Sequence, residues 1–196
     1  MKICWLIIYF LIFNHPPEKA VLPSPAEDIN ACLSSSEKEL YNQIMNYRKT
    51  KKLPGIPLSK SLTYVAQTHS KDLYENRTDK EPCNQHSWSA KGSWKPCCYY
   101  PDHRNKECMW DKPKELTNYS SPGFEIAYFH SAEATPTEAL AAWKKSQGHN
   151  AVIVNAGMWK GQTWNAIGIG IYKNYATVWF GMQKDEAGAP QNCTPH

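Results

Sequence analysis

The sequence predicts an α+β domain in which helices cover an antiparallel sheet. Three observations carry that expectation. Helical and strand patterns follow one another as helix, helix, long irregular region, strand, helix, strand, strand. A hairpin near the carboxyl end alternates isoleucine with glycine, leaving one face bare for close packing. Six cysteines remain once an apolar leader is set aside, enough to staple a long irregular region.

The leader comes first. Met1-Lys2 precedes an uninterrupted apolar run from Ile3 to Phe13, too short to span a membrane, which takes about 20 residues. Pro16, Pro17 and Glu18 follow it, so residues 1–20 read as a signal peptide, with Ala20 and Ala26 as candidate cleavage points. Export removes Lys2, Glu18 and Lys19 and lowers the net charge from +4 to +3. That charge reads as spread along the chain, with no Lys/Arg-rich block and hence no nucleic-acid footprint. Residues 21–35 read as a polar arm, 36–183 as one domain and 184–196 as a tail.

The elements follow in order. Ser36-x-x-Glu39 reads as a capping box that opens a helix, with Leu40, Ile44 and Tyr47 at helical spacing and Pro54-Gly55 ending it. A second helix starts near Ser59 and carries Leu62, Val65, Ala66, His69 and Leu73 on one face, which makes His69 a packing residue. The stretch 79–123 has no sustained period and reads as a cross-linked loop. Phe124–His130 reads as a strand, and Thr135-Pro136-Thr137-Glu138 as another helix start, with Leu140 and Trp143 on its apolar side. Residues 166–172 and 175–180 form the hairpin around Lys173-Asn174.

Cys32, Cys83, Cys97, Cys98, Cys108 and Cys193 allow 15 pairings. Four of them share one loop, which is expected to hold two bridges, with Cys97 and Cys98 bonded to different partners. Cys32 and Cys193 then tie the two ends together. Asn76, Asn118 and Asn192 open Asn-x-Ser/Thr motifs, which matter only in a host that glycosylates.

Of seven histidines, His86 and His149 stand beside sharp local signals, CNQHSW and QGHN. His103 and His130 lack a partner at informative spacing. Cys83-x2-His86 with His103-x4-Cys108 superficially resembles a zinc finger. Oxidation of exported cysteines argues against it.

The segments LYNQIMNYR (40–48), LTYVAQTHSKDL (62–73), CNQHSW (83–88), GFEIAYF (123–129), AWKKSQGHN (142–150) and AIGIGIYKNYATVWFG (166–181) together resemble the ordered blocks of the CAP superfamily, the family of cysteine-rich secretory proteins, antigen 5 and pathogenesis-related proteins. The resemblance implies an α-β-α sandwich with a central cleft. It places His86, Glu125 and His149 in that cleft and leaves Ser146 where the family carries a second acid. Two imidazoles and a carboxylate suit zinc or another divalent metal, and equally a hydrogen-bonded structural network. The resemblance further implies an extracellular binding protein for a protein, lipid or sterol, with no integral membrane span after processing. A weak metal- or His/Glu-dependent hydrolase is the alternative; no residue is assigned a catalytic role.

Overall fold

The computed structural model describes residues 29–194. The expected signal peptide and its cleavage points lie outside them. Within them the elements are β1 (Cys32–Leu33), α1 (Ser35–Thr50), α2 (Lys60–Asn76), α3 (Lys106–Trp110), α4 (Lys112–Leu116), β2 (Gly123–Phe129), α5 (Pro136–Lys145), α6 (Gln147–Ile153), β3 (Ala166–Tyr172), β4 (Tyr175–Gly181) and β5 (Gln191–Asn192). No helix among the described residues is long and apolar enough to cross a membrane.

The central sheet is antiparallel, in the order β2-β4-β3, so β2 forms one edge. Strand alternation divides its residues between two cores. Val178 and Phe180 of β4 join Ile126 of β2 and Ile167 and Ile169 of β3 against Leu40 and Ile44 of α1 and Trp143 of α5. Trp179 packs on the other face with Leu62, Val65 and Ala66 of α2 and with Trp88 and Tyr99 of the irregular region. Helices therefore cover both faces, giving the α-β-α sandwich. Gly168 and Gly170 bring α2 close to the sheet: a Cβ on either would lie 2.0–2.2 Å from the backbone of Leu62 or Ala66.

The first helix begins earlier than Ser36. Ser34 is its N-cap, and its hydroxyl accepts from the Glu37 amide while the Glu37 carboxylate accepts from the Ser34 amide. Tertiary contacts select this register. Buried Glu37 also accepts from Gln67 Nε2 and the Ile171 amide, bonds an exposed Glu39 does not make. The expected caps at Ser59 and Thr135 are present.

All three disulfides follow the expected scheme: Cys32–Cys193, Cys83–Cys98 and Cys97–Cys108. The last two fix the irregular region, which holds two short helices, α3 and α4, and a single antiparallel bridge between Trp88 and Cys97. With Cys83 and Cys108 both oxidised, the zinc-finger spacing has no thiolates left to use.

Candidate functional site

Glu125 lies on edge strand β2, paired with Trp179, and its side chain enters the α2 face of the sheet. There the α2 stripe delivers His69. His69 Nδ1 lies 2.5 Å from Glu125 Oε1, and Nε2 lies 3.0 Å from the Ser87 carbonyl. Both ring nitrogens thus face oxygen atoms, one of the Glu125 carboxylate and one of the Ser87 carbonyl. Its flat face stacks on Trp88, with centroids 4.2 Å apart.

His86 approaches Glu125 from the cleft side, its Nδ1 donating to Oε2 at 2.8 Å. The segment carrying it is held at several points. The Asn84 amide donates to the Tyr99 carbonyl, the His86 amide to Asn84 Oδ1, and the Ser89 amide to the buried Asp72 carboxylate on α2. His149 comes from α6, with its ring centroid 6.3 Å from that of His86. Ser146 stands at the corner between α5 and α6. It is the N-cap of α6 and accepts from the His149 amide, so the position of the family's second acid serves here to start the helix that carries His149.

Electrostatics separates the groups. Burial alone would raise the Glu125 carboxyl, but the adjacent charge of His69 and the hydrogen bonds from His69 and His86 outweigh it and hold the group down to about 2. Burial pushes His149 down to about 4; His86 adds to the depression and Glu125 opposes it. At neutral pH the cleft therefore presents an ionised, fully engaged carboxylate and a neutral His149.

His86, Glu125, His149 and Ser146 all line one cleft of about 360 Å³. Its walls include Tyr99, Met109, Trp110, Phe124 and Trp159, with Met158 77% exposed. His103, which carried no signal in the sequence, also lines the cleft and bonds the Tyr99 hydroxyl. His130 faces Glu138 away from it. His69 needs correction: it is a packing residue, completely buried, and it also supplies half of the grip on Glu125.

The sequence profile of the cysteine-rich secretory protein (CAP) family matches residues 41–181. The chain belongs to the CAP family. Among solved structures, this CAP domain is similar to an extracellular protein containing an SCP domain from Bacillus anthracis. The TM-score is 0.54 at 18% identity over 76% of this chain and 40% of that one. An outer surface protein from Borrelia burgdorferi gives 0.49 at 18% identity, covering 75% of this chain and 92% of that one. A cysteine-rich secretory protein from Staphylococcus aureus gives 0.48 at 17% identity, covering 76% and 38%. At these identities the Bacillus anthracis likeness concerns the fold alone. The chain spans well under half of that protein's length. No curated protein matches the chain.

A divalent ion needs open donors. Glu125 has none, since each oxygen already accepts from a histidine. It stands behind His86 and orients it, the usual place of an outer-shell carboxylate. Among the described residues no three His, Cys, Asp or Glu side chains are grouped to hold a metal ion. The imidazoles lining the cleft are His149, His86, whose Nδ1 is taken by Glu125, and His103, whose Nδ1 meets the Tyr99 hydroxyl.

Proposed function

We propose that the protein is an exported CAP-domain binding module whose cleft takes an amphipathic ligand of the lipid or sterol kind. Three disulfides and the family support export. The observation that carries the binding reading is the cleft wall. Aromatic and apolar side chains dominate a space of ligand size, and a few polar groups converge in it. Hydrolysis is less well supported. Buried Ser87 accepts from the Tyr99 amide, Ser146 caps α6, and neither hydroxyl meets an imidazole among the described residues. Glu125, held down to about 2, is a weak base at neutral pH.

Gly148 gives a clean test. It lines the cleft from α6, and a Cβ there would meet nothing within 4 Å. Gly148→Phe should fill the cleft while leaving the fold intact, since Gly148 lies in the first turn of α6 and a Cβ there displaces nothing. Titrating a homologous series of alkyl carboxylates and cholesterol against tryptophan fluorescence should give saturable binding to the native protein. The variant should bind about tenfold or more weakly, about 1.4 kcal/mol, with unchanged melting. Equal binding by both proteins would remove the cleft from the proposal.

A second reading is favoured by the state of His149. A ring held neutral is a ready metal donor, and Glu125 fixes His86 so that Nε2 stays free. His86 and His149 would then hold a zinc ion weakly, with water completing its coordination, and the ion would supply a Lewis-acid centre in the cleft. Calorimetry with zinc should give weak binding to the native protein and none to His149→Ala. Ser146→Asp should bind about tenfold more tightly, because aspartate keeps the cap and adds the missing acid. Identical titrations for all three proteins would leave the cluster purely structural.

A further inference from the structure

Part of the basic charge is gathered at one place in the fold, around the run Arg48-Lys49-Thr50-Lys51-Lys52, which the expectation of no Lys/Arg-rich block overlooked. α1 and α5 lie side by side in the same sense, with Gln43 bonded to Thr137 near the start of α5 and Tyr47 beside Lys144 near its end. Their carboxyl ends therefore meet, and each ends in lysines. Lys49 lies in the last turn of α1, Lys51 and Lys52 follow it, and Lys144 and Lys145 close α5; all five are exposed. Lys51 and Lys144 both approach the Tyr47 ring, at 5.5 and 4.7 Å from its centroid. The ring is anchored by its hydroxyl, which donates to Asn150 Oδ1.

Lysines at a helix end complement the macrodipole, which accounts for one or two at each terminus. It does not account for five at one locus. Among the described residues none of the five is ion-paired, a state most other lysines of the chain share; what sets this group apart is that Lys51 and Lys144 meet at one ring. Two ammonium groups at one aromatic ring repel each other with no acid to relieve them. Such a site stores a preference for a multivalent anion.

We propose that this paired helix end docks a sulfated polysaccharide chain. Three features favour that occupant. It rests on the export reading above, and outside the cell sulfated glycans are abundant polyanions. The cations are all lysines, point charges that attract a flexible polyanion without requiring a fixed bidentate geometry, because Arg48 is buried and donates to the Pro54 and Ile153 carbonyls. An anionic membrane would favour apolar side chains beside the charge. The exposed large apolar residues, Tyr74, Phe129 and Met158, lie on other segments, and none flanks the lysines in sequence.

The test is heparin affinity on the full exported protein, with two double variants of equal net charge. Lys51→Ala/Lys144→Ala should bind heparin roughly tenfold more weakly at 0.15 M salt, with a salt slope shallower by about two, one per lost contact. Lys71→Ala/Lys173→Ala, at lysines already paired with acids, should match the native protein. Equal weakening in both variants would reduce the effect to net charge and overturn the proposal. So would equal or tighter binding to duplex DNA, or to vesicles containing phosphatidylserine, than to heparin. Absence of the native protein from culture medium would overturn the export reading, whereas failure to bind heparin in vitro would overturn the docking surface alone.

Discussion

Replacing Glu125 by leucine should lower the unfolding free energy by about 1–3 kcal/mol, because the buried His69 ring, stacked on Trp88, would lose the partner of its Nδ1 and His86 would lose its anchor. His69→Leu should cost a similar amount by stranding the carboxylate. The double variant should cost much less than the sum, since it removes both partners of the buried bond and leaves a large apolar side chain at each site. Urea unfolding of the four proteins measures this directly, and additive costs would show that the two groups do not act as a pair. The pH profile follows with a defined sign. Glu125 is held below its ordinary 4.5, so its contribution is present above that value and is lost as pH falls toward 2. His149 is depressed from 6.5 to about 4, so the unfolded chain takes up its proton first and stability falls across that window as well. Glu125→Leu should flatten the profile between pH 4.5 and 2, and His149→Ala should flatten it between 6.5 and 4.

The same pair shows how much of the molecule was legible in its sequence. Helical spacing put His69 on the buried stripe of α2, and the strand pattern made Phe124–His130 a strand. Neither period says which side chain waits on the opposing element, so the bond between His69 and Glu125 was out of reach. The family blocks found Glu125, His86 and His149 and left open whether they hold a metal or form a hydrogen-bonded network; both oxygens of the cleft-lining Glu125 meet histidines. The capping register failed for a related reason. Ser34-x-x-Glu37 and Ser36-x-x-Glu39 are equal as local patterns, and only the distant Gln67 and Ile171 contacts favour the first. The hairpin and the bare faces of Gly168 and Gly170 were readable because strand pairing and close packing leave a local mark. The basic run at 48–52 was readable too, but its meeting with Lys144 was not, because Lys51 and Lys144 come together only through the packing of α1 on α5.

Removing the Cys32–Cys193 bridge should give the largest loss of stability among the three disulfides. Its ends are 161 residues apart, against 15 and 11 for the two bridges of the irregular region. On a chain-entropy basis the long closure is worth about 5 kcal/mol and the short ones about 3 each. The bridge also carries the parallel pairing of β1 with β5 and the bond from the Cys193 amide to the Leu33 carbonyl. Cys32→Ala/Cys193→Ala should therefore lower the melting temperature by about 10 °C or more. The cleft lies elsewhere, between β2, α6 and the cross-linked region, so that variant should keep its cleft affinity at temperatures where it stays folded. Cys83→Ala/Cys98→Ala should behave in the opposite way. It costs less stability, but Cys83 lies three residues before His86, and freeing that segment lets His86 leave Glu125. Calorimetric melting and ligand titration on the two double variants separate these roles. If the Cys83–Cys98 variant keeps native affinity, or if the terminal variant melts no earlier than the loop variant, then the division between a stapled frame and a stapled site is wrong.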